Sequence, residues 1–219
     1  IDRSTGEILR IHLLDVLRGV SVFAMVVYHF FWDLGYFKFI ELETMTRGLP
    51  LLIAQCIGAS FILVSGISFR LAAHSINFKF KFLKRLIVLV TLCSLITAIT
   101  FFFDKTNFIF FGILHLLATC SIIGLLFHKI KNSYLFFILF VFSFLISMSE
   151  ITLDLPTYLA WIGFNSEVPN TNDFYPLFPW VSLYFFGLWA SEPVRVYLIY
   201  KDRSCGNYHP KFIFIYRTL

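Results

Sequence analysis

Two pairs of ionisable residues bracket one apolar stretch near the start of the chain: Asp15 and Arg18 open it, and His29 and Asp33 close it. The residues between, Gly19 to Tyr28, carry no charge. In a helix Arg18 and His29 stand roughly 16 Å apart, at about 1.5 Å of rise per residue. Ionisable side chains at membrane depth are expensive to keep there, so each is a functional-site candidate. A cation at one depth and an imidazole at another suit an enzyme that takes a charged donor from one side of a membrane and serves an acceptor on the other. His29 and Asp33 are four residues apart and share a helix face, so the carboxylate can orient and stabilise an imidazolium, as in a catalytic dyad. The plainer reading is that Trp32, Asp33 and Tyr36 mark a membrane interface towards which His29 reaches. For Asp15 and Arg18 the plainer reading is a helix N-cap and a topology anchor.

The elements that would position these groups are long apolar helices. Hydrophobic residues make up 58% of the chain and charged residues 14%, and Phe alone occurs 29 times. Soluble domains run nearer to ~25% charged, and runs of about 20 apolar residues read as membrane spans. The expected fold is an all-α polytopic transmembrane bundle of about six spans, near residues 16–37, 50–72, 85–103, 109–127, 134–153 and 179–199. One transmembrane domain over residues 1–200 is followed by a short basic tail, 201–219, whose Phe212–Tyr216 run is too short to span. That tail reads as a truncated final helix region. Cys56, Cys93 and Cys120 lie within apolar segments, with no disulfide framework or metal-ligand spacing, and read as packing residues.

Loop charges orient the chain. Of the 18 Lys and Arg residues, only Lys38, Arg47 and Lys105 fall in one set of alternate loops. The rest lie from the N-terminus to Arg18, between Arg70 and Arg85, at Lys129 and Lys131, or from Arg195 onward. Cytoplasmic loops carry the Lys/Arg excess, so both termini are expected to be cytoplasmic. The net charge of +5 is spread between apolar segments rather than gathered in a patch, which argues against a nucleic-acid partner.

This orientation brings His29, Asp33, His115 and the segment Asp173–Trp180 to similar depth in the outer half, where an external pocket would hold them. Arg18, Lys84 and Arg85 meet at the opposite mouth, where they can neutralise an anionic donor. Each has a plain alternative: His115 could bond a neighbouring carbonyl, Asp173 could end a turn before the prolines, and Lys84 and Arg85 could be topogenic flanks. Ser60, Ser65 and Gly66 read as small residues that let helices pack closely.

The stretch Leu14-Asp-Val-Leu-Arg-Gly-Val-Ser-Val-Phe-Ala-Met-Val-Val-Tyr-His-Phe-Phe-Trp-Asp33 resembles the opening helix of the heparan-alpha-glucosaminide N-acetyltransferase catalytic-domain family. Three further blocks agree in order: Ala59 to Ser68, Phe111-Gly-Ile-Leu-His115, and Asp173-Phe-Tyr-Pro-Leu-Phe-Pro-Trp180. The resemblance covers roughly residues 10–192. The first block is also similar to the wider membrane acyltransferase superfamily, whose first helix begins with a Leu-Arg-Gly element and ends in a His.

The resemblance implies an acetyl-CoA-dependent acyltransferase of a bacterial inner or plasma membrane. It would move an acetyl group from the cytoplasm to a sugar amine or hydroxyl outside, with acetyl-CoA as co-substrate and no metal. His29 best matches the family's pocket histidine, which acts as general base or transient acyl carrier. Asp33 and His115 join it as catalytic candidates, Asp173 and Trp180 line the acceptor side, and Arg18, Lys84 and Arg85 hold the donor. Expected partners are membrane lipids, acetyl-CoA and a glycan or other external acceptor, with self-association left open. A transporter or a non-catalytic scaffold is the rival class. Relatives usually continue through at least one more apolar helix, which the basic tail here does not supply.

Overall fold

Backbone amides in a bilayer have no water to bond, so long apolar runs close their hydrogen bonds internally as helices. The structure, a computed structural model, describes residues 12–73, 77–149 and 151–204. It is helical throughout, with α1 His12–Tyr36, α2 Leu42–Thr46, α3 Gly48–Ala72, α4 Phe78–Phe103, α5 Ile113–Phe127, α6 Ser133–Met148 and α7 Leu177–Ser204. A 3-10 turn covers Thr157–Ile162. Among the described residues the only strand-like pairings are two isolated bridges, Phe111 with Phe174 and Leu153 with Asn165. Leu13–Tyr36, Gly48–Ala72 and Phe78–Phe103 are each long and apolar enough to cross a membrane; Ile113–Phe127 and Ser133–Met148 are apolar but shorter.

Apart from the short α2, the α-helices fall on the six apolar segments, with instructive differences at their ends. α4 begins at Phe78 rather than near 85, because Lys79, Lys81, Lys84 and Arg85 are good helix formers that can keep their charged heads at the interface. Arg85 is therefore about 10 Å into the helix. α5 begins at Ile113 rather than 109. Gly112 is extended (φ −92°, ψ −172°), and the apolar run before it is drawn out of the helix by bonds to neighbouring segments. α6 starts where the Asn132 side chain caps the Tyr134 N–H (3.0 Å) and stops at Met148, five residues early. Residues 205–219, most of the basic tail, and the N-terminal arginines Arg3 and Arg10 lie outside the described residues.

The centre of the bundle is the α3–α7 contact, with α6 on the far side of α7 and α1 and α5 against α3; α4 packs chiefly on α5. Gly66 and Gly187 face each other there, and a Cβ on either would meet the partner backbone at 2.5 Å. Side-chain-free surfaces of this kind let two helix backbones approach closely in lipid, as the small-residue motif suggested. Around the contact Ile62, Leu116, Cys120, Phe136, Tyr184 and Leu188 are almost fully buried. Cys93 is also buried and Cys56 is exposed.

Pairs of contacts show that the helices alternate in direction. Arg18 at the start of α1 reaches Ser68 near the end of α3. Thr97 near the end of α4 bonds His115 near the start of α5. Arg70 at the end of α3 donates to the Lys131 carbonyl between α5 and α6 (3.2 Å). One end of the bundle, the loop end, thus gathers the segments 104–112 and 151–176. The other gathers Arg18, Arg70, Arg85, Lys131 and Arg195, and is called the basic end.

Candidate functional site at the loop end

The segments before α5 and before α7 run alongside each other and place Asp173. Asn172 N–H donates to the Asn107 carbonyl (3.1 Å) and Tyr175 N–H to the Phe111 carbonyl (3.0 Å). Asp173, held between those bonds, lays its carboxylate on the start of α5, where Oδ2 accepts the Ile113 N–H at 3.1 Å. α5 needs such help, because its N-cap is Gly112, which has no side-chain oxygen to give. The close fit requires glycine: a Cβ on Gly112 would collide with the Asp173 carboxylate. The second Asp173 oxygen has no hydrogen-bond donor among the described residues.

Burial pushes the Asp173 carboxyl above the ordinary carboxylate value, while the Ile113 N–H and the nearby His29 side chain draw it back down. His29 is thus an electrostatic neighbour of Asp173. It is exposed on α1 beside Tyr28, whose ring meets it edge-on with centroids 6.0 Å apart. Asp33 is also exposed, and no hydrogen bond or ion pair joins it to His29 among the described residues. His115 accepts the Gly112 N–H on Nδ1 (3.3 Å), bonds the Thr97 hydroxyl through Nε2 (3.1 Å) and lies against Phe111. Trp180 packs on Tyr175, with ring centroids 5.0 Å apart.

Two tyrosines that sequence reasoning passed over belong to the same place. Tyr175 donates to the Ala54 carbonyl on α3 (3.1 Å), and its ring fills the space a Cβ on Gly58 would need. Burial, then the neighbouring Asp173 and Tyr28, raise the Tyr175 hydroxyl far above its ordinary value, so it stays a neutral donor. Tyr28 reaches the Met45 carbonyl on α2 (3.3 Å). Their adjacency to His29 and Asp173 in sequence was the available signal; the α2 and α3 acceptors were not legible.

At the basic end Arg18 pairs with Asp15 (2.9 Å) and also donates to the Ser68 hydroxyl. Arg85, exposed on α4, has Arg18 and Tyr184 as electrostatic neighbours and makes no hydrogen bond or ion pair among the described residues. Lys84 beside it is exposed. Arg70, which the sequence reading left out of the site, is buried over the Phe136 ring at 5.2 Å, and Glu192 next to it pairs with Arg195. Among the described residues no three His, Cys, Asp or Glu side chains gather as a metal site.

An apolar helical bundle with a hydrogen-bonded carboxylate–imidazole neighbourhood at one end and guanidiniums at the other is an integral membrane protein with two chemically distinct polar regions. Residues 10–215 match the family model described as heparan-alpha-glucosaminide N-acetyltransferase, catalytic. The chain belongs to that family, which makes it a membrane transferase. Comparison with curated proteins and with solved structures found no match.

Proposed function

We propose that this protein transfers an acetyl group from acetyl-CoA, docked at the basic end, to an amine or hydroxyl of a sugar presented at the loop end. The Lys/Arg excess in alternate loops supports a cytoplasmic basic end and an external loop end. Reporters fused after Lys131 and after Asn170 test this: cytoplasmic and external signals respectively are expected, and the reverse pattern would invert the direction of acyl flow. Arg18, Lys84 and Arg85 take the phosphates of the donor. Arg suits this role because its planar fork can hold a phosphate through two parallel bonds.

His29 removes the proton from the acceptor as its nitrogen or oxygen attacks the thioester carbonyl. The carbon–sulfur bond then breaks, and the sulfur takes that proton back from His29 and leaves as the thiol. His29 could instead carry the acetyl group transiently before the acceptor takes it. Asp173 stabilises the positive charge that His29 gains in either route, and Asp33 lies on the same helix face to assist. His115 and Trp180 complete the wall of the pocket with Tyr28 and Tyr175.

The observation that supports this most is the Asp173 carboxylate, buried at the start of α5 with His29 as its electrostatic neighbour. Its test is acetyl transfer from radiolabelled acetyl-CoA by purified protein over a panel of amino sugars and glycans. Loss of transfer in His29→Gln protein with retained donor binding supports the reading. Equal transfer by His29→Gln removes His29 from the chemistry, and no transfer by the wild-type protein to any acceptor sinks the proposal.

A further inference from the structure

We propose that Thr97 is a positioning residue of the loop-end site, acting through His115, which it holds as the neutral tautomer protonated on Nε2. The inference rests on the acyl-transfer reading for its kinetic consequence, though not for the tautomer itself. The Thr97 hydroxyl has one proton, and it is given to the Ile109 carbonyl (2.9 Å). Its oxygen can therefore only accept from His115 Nε2 at 3.1 Å. At the other side of the ring the Gly112 N–H points at Nδ1 (3.3 Å), which must then carry a lone pair. Two independent bonds thus select the same tautomer.

The clamp continues on α4. Thr100, one turn further on, accepts the Ile109 N–H (3.1 Å) while Thr97 donates to the Ile109 carbonyl, so both backbone polar groups of one residue are gripped by threonines a turn apart. Ile109 sits three residues before Gly112. A Cβ on Gly112 would lie 3.1 Å from the Ile109 side chain, as well as colliding with Asp173. From Thr97 the path runs through His115 to the Gly112 N–H, and from the neighbouring Ile113 N–H to Asp173 Oδ2. Protonating Nδ1 would set two N–H groups against each other at Gly112 and open this path. His115 then serves as a neutral brace for the start of α5, in the place where a Glu or Gln usually reaches back to the N-cap amide, and does not itself exchange protons with substrate.

The experiment compares wild type, Thr97→Val and Thr97→Ser in lipid nanodiscs, with histidine labelled by nitrogen-15. Wild type should give a His115 spectrum with Nε2 protonated and Nδ1 bare. Thr97→Ser should keep it, and Thr97→Val should show a mixture of tautomers. Under the acyl-transfer reading Thr97→Val should also lower kcat about tenfold, the order of one hydrogen bond, at unchanged KM for acetyl-CoA, with Thr97→Ser restoring it. A wild-type His115 protonated on Nδ1, or a Thr97→Val spectrum identical to wild type, overturns the proposal. So does a Thr97→Val protein that only melts earlier while the folded fraction keeps full kcat. If wild type transfers no acetyl group but shows the tautomer and its loss in Thr97→Val, the brace stands and the activity reading falls.

Discussion

At the loop end, Asp173, His115 and Thr97 are each fixed by a backbone group, the Ile113 N–H, the Gly112 N–H and the Ile109 carbonyl, whereas at the basic end Arg85 and Lys84 project from one helix with no partner among the described residues. The two arrangements suit different tasks. A group that must meet a reacting atom within a few tenths of an ångström has to be held before substrate arrives. A flexible cation that gathers phosphates can adapt, because its attraction is long-ranged and tolerant of angle. Under the proposed acyl transfer, the braced groups frame the reacting centre at the loop end, and the loose cations Lys84 and Arg85 gather the donor at the basic end.

The hardest test of this division is His29→Ala. General-base assistance is worth ~10²–10⁴-fold in rate, so turnover should fall by about that factor while the Kd for acetyl-CoA, measured by calorimetry, stays unchanged. A change confined to the donor Kd would exchange the roles of the two ends.

Asp173→Asn and Asp33→Asn sharpen the loop end itself. Asp173 is braced and is an electrostatic neighbour of His29, while Asp33 is exposed without a bond to it. We expect Asp173→Asn to lower kcat about 10- to 100-fold, on the scale of one charge-assisted interaction lost in the transition state. Asp33→Asn should cost distinctly less. The opposite ranking would return Asp33 to the place of dyad partner.

At the basic end, Arg85→Ala should weaken acetyl-CoA binding about tenfold with kcat intact, and Arg18→Ala should do the same to a smaller extent. Arg18 is already shared between Asp15 and Ser68, and so has less to give a ligand. A fall in kcat at constant Kd would mean that the basic end reaches further into the chemistry than its loose construction implies.

The smallest expected effect is one of stability with pH. Burial raises the folded-state value of Asp173 above that of the unfolded chain, despite the opposing pull of Ile113 and His29. The folded protein therefore binds this proton more tightly. The ionised carboxylate detracts from stability as pH rises through the unfolded value to the raised folded value, and the deficit persists above it. Asn can still accept the Ile113 N–H without that burden. Asp173→Asn protein should melt slightly higher than wild type at neutral pH, with the difference narrowing as pH falls through the carboxylate range. A lower melting temperature at every pH would make the negative charge itself a net support of the start of α5.

The longer helices were legible because each contains a mainly apolar run, and the polar exceptions within them pointed to His29, His115 and Arg18. What the run lengths hid was the geometry between helices. Phe108–Phe111 is as apolar as the helix it precedes, yet it lies outside that helix, because Thr97 takes the Ile109 carbonyl, Thr100 the Ile109 N–H and the Tyr175 N–H the Phe111 carbonyl. Spacing joined His29 to Asp33, four residues away; the fold adds Asp173, delivered from a loop more than a hundred residues later. No periodicity carries that information, since it arises from the meeting of two irregular segments. Tyr28 and Tyr175 escaped notice for a related reason: Phe, Tyr and Trp are 20% of this chain, so two more aromatic residues carried no contrast.

The glycine contact between α3 and α7 bears on how such a protein could open to each side in turn. With Gly66 against Gly187, the two backbones are too close for one helix to slide or rock past the other without forcing a carbonyl into an α-carbon. α3 and α7, with α6 behind them, therefore form a stator. α1, seated chiefly on α3, and α4, seated chiefly on α5, each have one main contact to break or roll upon. They also carry His29 and Arg18 on one, and Thr97 and Arg85 on the other. Under the proposed acyl transfer, a gate that admits donor and acceptor is expected to swing on these two outer helices, which would put motion and chemistry on the same pair of surfaces.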